Sequence, residues 1–86
     1  MEIMFTVYCM DQAEIEAHLI SHGSIEVQGG VYISTSAHMI SEQLQWDDDD
    51  GQKNTDFSCN AFWIATDNGF MEGFNSIEEA MRTIDN

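Results

Sequence analysis

Asp47, Asp48, Asp49 and Asp50 stand side by side, with Trp46 before them and Gly51 after. Neighbouring residues point to different sides of a helix or strand, so neither element can bury four adjacent carboxylates. Whatever the chain folds into, this run must be a solvated loop, and its ionised carboxylates can only accept hydrogen bonds. The rest of the sequence carries the same sign. Sixteen Asp and Glu residues face two cations, Lys53 and Arg82, for a formal net charge of -14 and a pI near 4.1. Such a surface repels nucleic acid and anionic membranes and attracts basic proteins. Self-repulsion on this scale costs stability and is screened by salt. Three uses of the charge therefore compete: attraction of a partner, plain solubility, and adaptation to high salt.

The charge does not make the chain disordered. Of its 86 residues 43% are hydrophobic, with five Phe, two Tyr and two Trp, enough for the core of one small domain. No positive n-region precedes the apolar residues from Met1 to Cys9, so no secretory signal is read there. No window approaches the ~20 apolar residues of a spanning helix. A cytoplasmic protein is expected, with Cys9 and Cys59 as free, buried thiols.

Taken in order, Glu2 to Cys9 reads as a strand, with Ile3, Phe5, Val7 and Cys9 on one face and Met4, Thr6 and Tyr8 on the other. Asp11 offers an N-cap, and Glu14 completes a capping-box spacing. The helix it opens runs to about His22, with Ile15, His18, Leu19 and His22 in one stripe, Ile20 beside it, and Gly23 as the stop. Ser24 to Ser36 reads as a hairpin. A three-residue loop, Gln28-Gly29-Gly30, pairs Val27 with Val31 and Ile25 with Ile33 and keeps the apolar set on one face, with Gly30 left-handed. Ser36 to Trp46 fits a helix through Ala37, Ile40 and Leu44. The alternation Ile40, Glu42, Leu44, Trp46 suits a strand less well. Asp47 to Asp56 is a long polar loop. Phe57 to Thr66 is the clearest strand, Ala61, Trp63 and Ala65 facing one way and Phe62, Ile64 and Thr66 the other. Asp67-Asn68-Gly69 turns the chain into a short strand from Phe70 to Phe74. Ser76 caps the last helix, whose buried stripe is Ile77, Ala80, Met81 and Ile84. The order β-α-β-β-α-β-β-α makes an α+β domain: an antiparallel sheet of about five strands with two or three helices packed on one face.

Few patterns suit catalysis or metal binding. With Gly51 as the EF-hand glycine, positions one and twelve fall on Trp46 and Phe57, which cannot ligate calcium. A weaker divalent site on the aspartates is the less favoured alternative. His18 and His22 have a zinc-ligand spacing, but Leu19-Ile20-Ser21 lies between them and no close Cys pair completes the set. Two helix histidines beside the core is the plainer reading. No glycine-rich phosphate loop is present, and no cation adjoins either cysteine to activate it. The chain is read as a non-enzyme without a cofactor.

The negative surface is then the feature left to carry function. In size, charge and compactness the whole chain resembles the small acidic inhibitors encoded by phages and mobile elements, such as anti-restriction and anti-CRISPR proteins and uracil-DNA glycosylase inhibitors. No functional residue of any such family carries over. The resemblance implies an acidic inhibitor acting in a host cytoplasm. It would occupy the basic nucleic-acid-binding surface of a target protein without binding nucleic acid or membrane itself. The candidate contacts are Trp46, Asp47, Asp48, Asp49, Asp50 and Asp56, with Phe62 and Trp63, on opposite faces of their strand, as candidate aromatic anchors; the alternative is that both faces are buried, one under helices and one under the Asp47–Asp56 loop. The alternatives are an acidic module binding a basic partner elsewhere, and a salt-adapted domain. A homodimer is compatible with each.

Overall fold

The computed structural model describes residues 12–85. The strand expected from Glu2 to Cys9 and the Asp11 cap lie outside the described residues. Helix α1, Gln12–His22, buries Ile15 and Leu19, one turn apart. It stops where expected: Gly23 has φ +82° and donates its N–H to the Leu19 carbonyl at 2.7 Å. Its apolar stripe is narrower than the sequence pattern suggests, because Ile20 is 86% exposed and His22 is also at the surface.

Strands β1, Ser24–Gln28, and β2, Val31–Thr35, form the expected hairpin. Ile25 pairs with Ile33 and Glu26 with Tyr32, but Gln28, not Val27, stands opposite Val31. The register shifts at Val27, which is buried. The loop is therefore the two residues Gly29-Gly30 and not the expected three, and the bulge lets Val27 join the core, with Gly30 left-handed as expected at φ +76°.

Helix α2 is shorter than the expected Ser36-to-Trp46 helix and spans Ser36–Ser41. Thr35 is its N-cap, its Oγ1 accepting from the His38 N–H at 3.1 Å. The helix ends in a Schellman motif. Gln43 N–H donates to the Ile40 carbonyl at 2.9 Å, and Leu44 N–H to the Met39 carbonyl at 3.3 Å. Gln43 takes the left-handed φ of 56° that glycine usually supplies there. Met39 and Leu44, the two residues bridged by the motif, meet in one apolar cluster.

The chain then forms a two-stranded ribbon where a plain loop was expected. Strand β3, Trp46–Asp47, pairs with β4, Lys53–Asn54. Phe57–Cys59 is a 3-10 turn, so the strand expected to start at Phe57 begins later, as β5, Phe62–Thr66. Asp56 causes the difference: its Oδ1 accepts from both the N–H and the hydroxyl of Ser58, which favours a turn over extension. Strand β6, Met71–Phe74, returns along β5. Helix α3, Ile77–Asp85, opens on the expected Ser76 cap: Ser76 Oγ accepts from Glu79 N–H and donates to Glu79 Oε1, both at 3.2 Å.

The main sheet is antiparallel in the order β1-β2-β5-β6. Ile33 pairs with Ile64 and Ser34 with Trp63. Alternation sends Ile25, Ile33, Ile64 and Phe62 to one face, where Ile15 and Leu19 of α1 and Ile77 and Ala80 of α3 cover them. These are the helices expected together on one face. The other face carries Trp63, Ala65 and Met71. It is covered by Met39 of α2, by Leu44 and Trp46, and by Phe57. The molecule is thus an α+β fold whose sheet has apolar contacts on both sides.

Candidate functional site

The acidic ribbon begins at the second of these clusters. Trp46 lies with its ring centroid 4.6 Å from Phe57 and 5.0 Å from Trp63, and Phe57 meets Trp63 edge-on at 5.0 Å. Such pairs add to the area they bury, because a positive ring edge meets a negative ring face. Trp46 is therefore the root of the ribbon, half-buried against the sheet. Its indole ties the base of β3 to the sheet, and the aspartates follow directly.

Asp47 pairs with Lys53 across the ribbon, Lys53 Nζ lying 2.6 Å from Asp47 Oδ1. Both side chains are more than half exposed, so the pair is worth at most about 1 kcal/mol. Asp48 works within the turn: its Oδ1 accepts from Asp50 N–H at 3.0 Å and Gln52 N–H at 2.9 Å. Its backbone closes the turn, with Asp48 N–H donating to the Gln52 carbonyl and Gly51 N–H to the Asp48 carbonyl. Asp49 and Asp50 are exposed at the tip. The four carboxylates are therefore unequal: one is paired, one shapes the turn, and two project into solvent. Asp56 is exposed but engaged, capping the 3-10 turn through Ser58.

The two strand aromatics separate. Trp63 is 3% exposed and donates its indole N–H to the Phe57 carbonyl at 2.9 Å. It is a core residue and not an exposed anchor: Trp46 at the ribbon root and Phe57 cover its face, which agrees with the alternative of two buried faces. Phe62 is half-buried on the opposite face, beside the first cluster. With Ile20, Leu19 and Ile77 it lines a cleft of about 280 Å³. A wider cleft of about 490 Å³ between α1 and α2 also includes Leu19, Ile20 and Thr35. The exposed Ile20 lies on the lip of both. Its periodicity suggested the flank of a core stripe, and the narrowness of α1's buried face cannot be read from spacing.

Comparison with known proteins returned no match: no family model fits the chain, and no curated protein or solved structure resembles it.

Other chemistry is thin. Among the described residues no group of three His, Cys, Asp or Glu side chains is arranged to hold a metal ion. His18 and His22 stack on each other, ring centroids 4.4 Å apart. Cys59 is a free thiol, but exposed and not buried as expected, because it ends the 3-10 turn and leaves the sheet. Cys9 lies outside the described residues. Among the described residues no helix is long and apolar enough to cross a membrane.

Proposed function

We propose that this protein is an acidic inhibitor that occupies the basic nucleic-acid-binding surface of a target protein. The observation that supports it most is the ribbon. Asp49 and Asp50 project at the end of a rigidly rooted hairpin, and Lys53, the cation beside them, is already paired with Asp47. Duplex DNA presents one charge per ~1.7 Å of its axis. A tight turn of adjacent aspartates is one of the few ways for a protein to approach that density. The net charge of -14 extends the field beyond the ribbon and speeds encounter with a basic surface. Selectivity then needs an apolar contact that loses water on binding. Ile20 and Phe62, on the cleft beside α1, fill that role better than Trp63.

The test is competition. The protein captures a partner from a bacterial lysate, and the purified complex is challenged with duplex DNA or structured RNA. Displacement of the protein by nucleic acid is expected. A complex that holds unchanged at saturating nucleic acid overturns mimicry and leaves an acidic module that binds elsewhere. Unfolding when salt is withdrawn, with no partner bound, would instead mark a salt-adapted domain.

A further inference from the structure

A third cavity, of about 230 Å³, lies between the sheet and α2 and shares His38 with the wider cleft between α1 and α2. The hairpin register builds its floor. Ser24 stands opposite Ser34, and Glu26 opposite Tyr32, so these four side chains share one sheet face. Ala65 pairs with Tyr32 and continues that face into β5. The wall comes from α2 and its C-terminal turn, through Met39, Glu42 and Leu44.

The lining divides by chemistry. Met39, Leu44 and Ala65 offer an apolar side. Ser24, Tyr32 and Ser34 offer hydroxyls, His38 an imidazole and Glu42 a carboxylate. Ser34, 3% exposed, donates to Ser24 Oγ at 2.9 Å, which orients the pair and leaves Ser24 Oγ a second lone pair for another donor. More negative charge lies just outside. The Glu26 carboxylate, and then that of Asp67, hold the Tyr32 hydroxyl above its usual ionisation range, so both reach the mouth electrostatically. The cavity is below the ~300–1,000 Å³ of pockets that hold drug-sized molecules. It is suited to one side chain.

We propose that this cavity receives a single arginine side chain of the basic partner, its stem along Met39, Leu44 and Ala65 and its guanidinium among Glu42, Tyr32 and Ser24. The inference rests on the basic partner argued above. Arginine fits better than lysine for a physical reason. A planar fork of five donors can serve a carboxylate and two hydroxyls together, and it is more weakly hydrated than an ammonium, so it enters a half-apolar cavity more readily. Three carboxylates on separate elements, Glu26 on β1, Glu42 after α2 and Asp67 after β5, would share the charge.

The experiment uses the full chain, isotope-labelled, titrated with a glycine-serine peptide carrying one arginine. Saturable shifts centred on the amides of Ser24, Tyr32, Ser34 and Glu42 are expected. Matched peptides with lysine or uncharged citrulline should bind more weakly. Glu42→Gln should weaken the arginine peptide about tenfold, with Tyr32→Phe as a second variant; both leave thermal unfolding near that of the parent. Neutralising Asp49 and Asp50 should not move the pocket response. Shifts spread without saturation over all carboxylates, equal binding of lysine or citrulline peptides, or indifference to both variants would overturn the pocket. None of those results touches competition with nucleic acid, so the pocket and the inhibitor reading fail separately.

Discussion

The indole N–H of Trp63 ends on the carbonyl of Phe57 at 2.9 Å, six residues back along the chain. This bond explains why a tryptophan on a central strand can be nearly sealed from water. Its polar atom is satisfied by the 3-10 turn that Asp56 and Ser58 hold, and its ring is closed over by Phe57 and Trp46. The acidic ribbon and the core of the second sheet face are therefore one structural unit. A change at the root of the ribbon is felt in the core, whereas a change at its tip is not.

The first prediction separates root from tip. Trp63→Ala should lose ~3–5 kcal/mol of stability in chemical denaturation, the usual cost of deleting a buried aromatic. Trp46→Ala should cost less, because Trp46 is only half-buried, and should shift the Trp63 fluorescence to the red as water reaches its ring. Equal losses for the two variants would show that Trp46 is as interior as Trp63.

Backbone conformation supplies a second, paired prediction. At Gly30, φ +76°, a Cβ would lie 2.8 Å from Asp67 Oδ2, so Gly30→Ala should destabilise by about 1–2 kcal/mol from left-handed strain, before any displacement of Asp67. Gln43 already bears that strain at φ 56°. Gln43→Gly should therefore raise stability by about 0.5–1 kcal/mol, the relief of strain exceeding the added freedom of the unfolded chain. Thermal melts of the two variants should move in opposite directions.

These two positions also show what the sequence could and could not reveal. Gly23, the left-handed Gly30 and the Ser76 cap are local signals, and the helix ends they mark stand where the sequence placed them, although the hairpin loop is one residue shorter. The alternation of Phe62 and Trp63 was likewise legible, since a strand's pleat is local. The end of α2 was not, because its stop is a glutamine in a glycine's conformation and the helical pattern runs on through Leu44. Whether Trp63 was exposed or buried was also undecidable from its strand. That depends on residues 46–57 folding back over the sheet, a long-range event that spacing does not encode. The cavity at Ser24, Tyr32 and Glu42 was hidden for the same reason: its two walls are joined only by the tertiary packing of α2.

A third prediction follows from Tyr32. Its hydroxyl is held above the usual range first by Glu26 and then by Asp67. With Tyr8→Phe as background, so that one tyrosine reports, phenolate absorbance should appear at higher pH in the folded protein than in the unfolded chain. Because the folded pKa is the raised one, the native state binds more protons. Stability therefore falls as pH rises from the unfolded value of ~10 through the folded value. Glu26→Gln should lower the folded titration more than Asp67→Asn does. The reverse order would assign the dominant field to the β5–β6 turn.

The final prediction concerns the four aspartates, which the structure makes inequivalent. Asp49→Asn and Asp50→Asn together should leave the thermal melt nearly unchanged, since both carboxylates are exposed and surface charges contribute little to stability. The loss of two charges should slow association with a basic partner, with the largest difference at low salt, where screening is weakest. Asp48→Ala should do the opposite. It removes one charge, but it also removes the acceptor for the N–H groups of Asp50 and Gln52, and should loosen the ribbon turn at a cost of about 0.5–2 kcal/mol, like the loss of a helix cap. Asp48→Asn retains a side-chain oxygen and should behave like the tip variants. Stopped-flow association at two salt concentrations, with amide hydrogen exchange across residues 46–54, reads both effects. If the Asp49–Asp50 double variant associates as fast as the parent at low salt, the ribbon tip is not what the partner meets first. If Asp48→Ala exchanges no faster than Asp48→Asn, the turn is held by its backbone and the side chain is free to make contact.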